Sequence, residues 1–371
     1  MRCGMIQPAR LQTTGELETC SSHRSRRQSG VAAESSADHV VAQAAPVADL
    51  DRAHRGLKVA RYRSLLWHWV RGWFVPPQRA MFERLPAVHA DQVALTFIGH
   101  ASVLVRYAGA AICVDPMLGR WVGGARRAVE AGLAPADLDD VALILITHLH
   151  SDHFHPATLA NLPKSAMLVG PRGVASAAAA FQFARVLELT PGTNVSFGDI
   201  TVYAEPVRHG DDQVGGLSYV LRSAVGAPSV YVCGDSGYFS GFADIGARHA
   251  PDIACLPIGG FLPFSFRDRH MSPLDALTAF VDVRARLLLP IHHGAFALSY
   301  EKLDEPVRLL TQTATARGLR DHLLIMQPGQ SECIGAHLQR SVRPRDSLRE
   351  AAPAPDALPA DAIDPVGLNY Q

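Results

Sequence analysis

Residues 148–153 constrain this chain more than any other stretch. His148, His150, Asp152 and His153 fall within it, directly after the apolar run from Val141 to Ile146. The run is short, continuous and β-branched, the pattern of a strand buried on both faces. Imidazole nitrogens and carboxylate oxygens are the donors that hold zinc-like ions, and a rigid strand end aims them well. A histidine-rich surface loop is the competing reading, yet solvation alone gives no reason to alternate His with an Asp-His pair.

With 371 residues the chain has room for one large or two ordinary domains and a substantial core. A hydrophobic fraction of 48% and a charged fraction of 19% fit a globular protein. Lys plus Arg and Asp plus Glu both total 35, so no global basic excess argues for nucleic acid as a partner. Cys3, Cys20, Cys113, Cys233, Cys255 and Cys333 are scattered without a CxxC pair, which favours a reducing compartment, the cytoplasm. No apolar run approaches the roughly 20 residues of a membrane span, and the polar first 27 residues lack a signal-peptide core.

Composition divides the chain into four segments. Residues 1–50 read as a disordered tail, and residues 339–371, rich in Pro, Ala and Asp, as a second one. Residues 51–90 form a basic aromatic helical segment in which Arg61, Arg63 and Arg71 interleave with Leu66, Trp67, Trp69, Val70, Trp73 and Phe74. Helical spacing places Leu66, Val70, Trp73 and Phe74 on one side, broadened by Trp67 and Trp69. Two roles fit: packing on the main domain, or peripheral contact of residues 61–75 with an anionic membrane such as the inner membrane. Residues 91–338 carry the strand and helix patterns of the main domain. Among them are an Ala-rich helix over 172–184 and a last strand over 323–326.

Three further stretches follow predicted strands and carry metal-type donors. They are Val207-Arg208-His209, Cys233-Gly234-Asp235-Ser236-Gly237 and Pro290-Ile291-His292-His293-Gly294. Alone, each reads as a surface histidine, an ordinary Asp turn or a packing residue. Together, HxHxDH, His, Gly-Asp and His, each at a strand end, resemble the ligand order of the metallo-β-lactamase fold, over about residues 93–338. Within that family the segments Ile98-Gly99-His100-Ala101-Ser102, Gly234 to Tyr238, Pro257 to Phe261, His270 to Ala276 and Ile291 to Leu298 are similar to the N-acyl-phosphatidylethanolamine-hydrolysing phospholipase D branch. Lactonase-like relatives share the Gly-His start.

The resemblance implies an α/β fold, a four-layer αββα sandwich, with two zinc ions at one edge; iron and manganese also suit these donors. It implies that His148, His150 and His209 hold one ion, that Asp152, His153 and His292 hold the other, and that Asp235 bridges. His293 is the alternative to His292. It further implies a bridging hydroxide as nucleophile, oriented by Asp152, with His270 near the scissile group. The expected reaction is phosphodiester hydrolysis on an (N-acyl) phospholipid. The alternatives are hydrolysis of a lactone, β-lactam or other small ester or amide, and a non-catalytic metal-binding fold. One departure weighs on the lipid substrate: Gly210-Asp211-Asp212-Gln213 stands where the phospholipase branch has a Trp, basic residues and an insertion. The sequence is compatible with an oligomer.

Overall fold

The computed structural model describes residues 55–210 and 215–335. The tails expected at 1–50 and 339–371, and residues 211–214 behind His209, lie outside them. Helix α1 (Arg55–Phe74) comes first. It is followed by β1 (Gln92–Gly99), β2 (Ser102–Tyr107), β3 (Ala110–Val114), a small hairpin of β4 (Trp121–Val122) and β5 (Ala125–Arg126), and β6 (Leu143–Leu145). Next come α2 (Pro156–Ala160), β7 (Met167–Gly170), α3 (Val174–Ala178), β8 (Arg185–Glu188), β9 (Asn194–Phe197), β10 (Ile200–Pro206), β11 (Leu217–Ser223) and β12 (Val230–Val232). The last part contains α4 (Gly241–His249), β13 (Ile253–Pro257), α5 (Pro273–Asp282), β14 (Leu287–Ile291), α6 (Glu305–Ala316) and β15 (Ser331–Gly335).

These strands form two large sheets, ordered β15-β1-β2-β3-β6-β7-β8 and β14-β13-β12-β11-β10-β9. Alternation along the strands decides what each face meets. Val103, Val105, Leu143 and Leu145 point between the sheets, against Val202, Tyr219, Val232 and Leu289. Leu104 and Ile144 point outward, onto Leu159 of α2 and Val174 and Ala178 of α3. On the far side, Tyr231 and Leu288 meet Phe242 of α4, Phe280 of α5 and Leu310 of α6. A strand covered on both faces must be apolar at every position, which is why 141–146 reads as one unbroken run. The result is the expected αββα sandwich.

Two elements differ from the sequence reading. The Ala-rich stretch forms only α3 and a 3-10 turn, Ala179–Phe181, before Gln182 reverses the chain at φ 58° and β8 begins. Alanine favours helix, but α3 itself buries only Val174 and Ala178, too little to hold a long one. Over 323–326 the chain makes a single bridge, Leu288 to Leu323. The closing strand is instead β15, antiparallel to β1, whose Ser-Glu-Cys start is that of a half-solvated edge.

Helix α1 docks through Leu65, His68, Trp69 and Gly72, all half-buried. Trp69 Nε1–H donates to the Ala297 carbonyl at 2.8 Å, and its ring lies over Gly124, where a Cβ would sit 3.2 Å from it. Arg61 pairs with Glu305, and the Arg126 guanidinium donates to the carbonyls of Gly72 and Val75 at the helix end. The side built from Leu66, Val70, Trp73 and Phe74 therefore faces outward. Among the described residues no helix is long and apolar enough to cross a membrane.

A buried ion cluster ties β10 to α4. Glu205 accepts hydrogen bonds from Arg248 and from His249 Nε2, the latter at 2.7 Å. Burial would raise the Glu205 pKa, but the His249 and Arg248 contacts outweigh it and hold the carboxyl below its usual value. A carboxylate with a depressed folded pKa contributes stability above its unfolded pKa, near 4.5, and loses it as pH falls through the folded value. Glu205→Gln is therefore expected to cost about 2 kcal/mol at pH 7 in urea unfolding, with the deficit shrinking below pH 4. A deficit that is the same at pH 7 and pH 3.5 would contradict this role.

Candidate metal centre

All the donors lie where strands end on one edge of the sandwich. β6 runs into Thr147 to His153, β10 into His209, β12 into Asp235 and β14 into His292. At β12 the chain turns at Gly234, φ 67°, where a Cβ would sit 2.6 Å from the Thr147 Cβ. Only glycine allows that turn and that approach.

The side chains gather into two quartets. His148, His150, His209 and Asp235 offer donor atoms within 4.8 Å of one another, as do His100, Asp152, His153 and His292. In the first, His148 Nε2 and His209 Nε2 lie 3.0 and 3.2 Å from His150 Nδ1. Asp235 stands between the quartets: its Oδ2 is 3.8 Å from His148 Nε2 and 3.3 Å from both His153 Nε2 and His292 Nε2. His293 points elsewhere. Its Nε2–H donates to the Pro290 carbonyl at 3.2 Å and its ring stacks on Phe97.

Neighbours fix which ring nitrogen each histidine presents. Asp115 accepts from His153 Nδ1–H at 2.7 Å, leaving Nε2 to face the centre. The same carboxylate accepts from the Thr147 amide at 2.7 Å and the Thr147 hydroxyl at 2.6 Å. That hydroxyl has given its proton to Asp115, so it accepts from His148 Nδ1–H at 3.0 Å and turns His148 Nε2 inward. His209 Nδ1–H donates to the Arg269 carbonyl at 2.9 Å, with the same effect.

The donors fit metal ions. His153 Nε2, His292 Nε2 and Asp235 Oδ1 are buried without a hydrogen-bond partner, a costly state that a coordinated cation resolves. Electrostatics agree. Burial would lower the His292 pKa, yet the charges of Asp235 and Asp152 raise it to about 10. Burial opposes ionisation of the two aspartates, and the surrounding histidines nonetheless hold both well below the usual carboxylate range. Two buried anions thus draw positive charge onto His153 and His292, which is the charge a cation brings.

His270 lies at the rim, half-buried, with Nε2 3.3 Å from Asp235 Oδ2. It is placed by the start of α5. There Ser272 and Asp275 form a reciprocal cap, and Arg267 holds Asp275 through two bonds at 2.9 and 2.5 Å. Gly260, φ 84°, leaves room beside it: a Cβ there would come within 3.0 Å of the His270 ring and 3.4 Å of the His292 ring.

Two residues that carry weight here have no assigned role in the sequence reading, Asp115 and His100. His100 Nε2–H donates to Asp152 Oδ2 at 2.9 Å, and the His100 carbonyl accepts from the His292 amide at 2.8 Å. Burial and the neighbouring His292 push the His100 pKa down to about 3, so the ring is the neutral donor that Asp152 needs. His100, Asp115 and His292 all have left-handed backbones, at φ 61°, 45° and 57°, a strain that only a well-determined site sustains. His100→Ala is expected to weaken metal binding by about 10- to 100-fold in calorimetric titration. Unaltered binding would rule that role out.

A family model described as a Beta-lactamase superfamily domain matches residues 111–293. An uncharacterized protein of Mycobacterium tuberculosis is 30% identical over 246 residues, a match covering 61% of this chain and 65% of that relative, just under two thirds of its length. The isothiocyanate hydrolase from Delia radicum gut bacteria shares the fold, with a TM-score of 0.56 at 21% identity over 66% of this chain and 99% of that one. A UPF0173 metal-dependent hydrolase of Opitutus terrae is 30% identical over 241 residues, covering 60% of this chain and 98% of that protein. A likeness that takes in nearly all of the Opitutus protein, on a sandwich whose strand ends gather these donors, shows that the chain belongs to the UPF0173 metal-dependent hydrolase family of the beta-lactamase superfamily.

Proposed function

We propose that this chain is a hydrolase working at a dinuclear zinc centre, and that its substrate is a phosphodiester, foremost that of an (N-acyl) phospholipid. The position of Asp235 Oδ2 between the two quartets carries the dinuclear reading. His148, His150 and His209 would hold one ion, Asp152, His153 and His292 the other, with Asp235 shared. Two divalent ions supply a water acidified toward neutral pH and positive charge for the oxygens of the attacked group. No serine or cysteine nucleophile is then required.

The remaining work falls to the chain's own residues. Asp152, held by His100, offers its carboxylate to the attacking water as an orienting acceptor. His270, 3.3 Å from Asp235 Oδ2, would donate a proton or hydrogen bond as negative charge grows on the leaving group. The phosphodiester choice is supported by the segments Gly234 to Tyr238 and His270 to Ala276 and by the basic aromatic helix near the site. The short link between His209 and β11 favours the second reading, hydrolysis of a lactone or another carboxylic ester or amide at the same centre.

Turnover of bis(p-nitrophenyl) phosphate, an N-acyl phospholipid and a lactone panel by zinc-loaded protein separates these readings. Hydrolysis of both phosphodiesters is expected. Activity confined to lactones would replace the first reading with the second, and none in any arm would leave a non-catalytic metal-binding fold.

A further inference from the structure

We infer that the outward face of α1, extended by the β4–β5 hairpin, is a docking surface for an anionic lipid bilayer. The helix is amphipathic in an unusual sense, because its solvent side is the more apolar one. Trp67, Trp73 and Phe74 are 62%, 65% and 81% exposed, and Leu66 and Val70 lie exposed beside them. Trp121 of the hairpin meets Trp73 edge-on at 6.1 Å and is itself exposed, so the patch continues onto the body of the protein. Contiguous exposed aromatic surface is costly to leave in water and marks a contact site.

The helix is firmly seated on its other side, by Trp69, Arg61 and the Arg126 contacts at its C-terminal end. The exposed aromatics are therefore not held out by a lack of docking.

Charge selects the occupant. From Arg55 to Phe74 the helix contains no Asp or Glu, and exposed Arg63, Arg71 and Arg120 flank the aromatic stripe. A second copy meeting this face across a two-fold axis would set these arginines against their own images, with no acid in the patch to offset them. Anionic head groups supply that opposite charge along the whole patch, while Trp rings settle at the boundary between head groups and acyl chains.

Docking there would bring the metal centre toward the lipid surface. Trp69 packs with Phe296, whose ring meets that of His100 at 5.3 Å, and Tyr62 meets Tyr300 in the segment that follows His292. The inference does not depend on the substrate: an enzyme for soluble esters could dock the same way.

Flotation of the full chain with phosphatidylcholine vesicles, with and without 30% phosphatidylglycerol, tests it. The wild type is expected to float with the anionic vesicles at 0.1 M salt and to be released at 0.5 M. Trp67→Ser/Trp73→Ser/Phe74→Ser is expected to reduce the floated fraction at least tenfold. Arg63→Gln/Arg71→Gln should lose the preference for phosphatidylglycerol. All variants should hydrolyse a soluble chromogenic substrate as the wild type does, so failure to float and failure to turn over remain separate results. A wild type that stays unbound with anionic vesicles, or a triple variant that floats equally, would overturn the inference. So would a wild-type dimer in light scattering that the triple substitution converts to monomer.

Discussion

Asp235→Asn is expected to reduce the metal content from two ions per chain to one or fewer, and to lower turnover roughly a thousandfold, about 4 kcal/mol of transition-state stabilisation. The substitution keeps the shape of the side chain and removes its charge. Its consequence follows from position: Oδ2 lies within 3.8 Å of nitrogens from both quartets, so one carboxylate would serve both proposed ions. A neutral amide cannot offset two cations, and its NH2 group would face histidine nitrogens. Loss of His150, exposed at the edge of the first quartet, should instead spare the second ion. Metal analysis of the two purified variants beside kcat measurements checks the contrast; two ions with wild-type turnover in Asp235→Asn would remove the shared-ligand account.

Asp115→Ala is expected to weaken metal binding about 10- to 100-fold and to cost about 3 kcal/mol of stability, although Asp115 is not one of the proposed ligands. The carboxylate is fully buried and accepts from the Thr147 amide, the Thr147 hydroxyl and His153 Nδ1. Alanine leaves three buried donors without an acceptor and frees the hydroxyl that orients His148. Both quartets therefore feel the change. Asn tolerates the left-handed backbone at this position, so Asp115→Asn should recover part of the stability while still losing metal affinity. Denaturant unfolding of the apoprotein and zinc titration measure the two effects separately. Unchanged zinc affinity in Asp115→Ala would show that the rings are oriented by packing alone.

What the sequence showed and what it hid follow from how local each signal is. His148 to His153 is a dense local pattern, and the strand before it is continuous because both faces are covered, so the centre of the fold was readable from one stretch. His209, Asp235 and His292 became readable only through their common place at strand ends. Asp115 also follows a strand, but one carboxylate before a proline resembles any turn, and its partners Thr147 and His153 lie 32 and 38 positions away. His100 was visible as part of a Gly-His start, whereas its hold on Asp152 depends on a β1–β2 corner that no spacing encodes. The edges were the least legible. β8 and β15 are short and partly solvated, so neither helical nor alternating periodicity marks them. In α1 the spacing put Leu66, Val70, Trp73 and Phe74 on one side, but that side is exposed, and which side docks was decided by Gly124 opening a slot for Trp69.

Anomalous X-ray scattering at the zinc edge, from crystals of zinc-loaded protein, tests the central claim most directly. The account predicts two peaks about 3.5 to 4 Å apart, one beside His148, His150 and His209, the other beside Asp152, His153 and His292, with Asp235 reaching both. A single peak, two peaks on one side of Asp235, or none at these residues would contradict it.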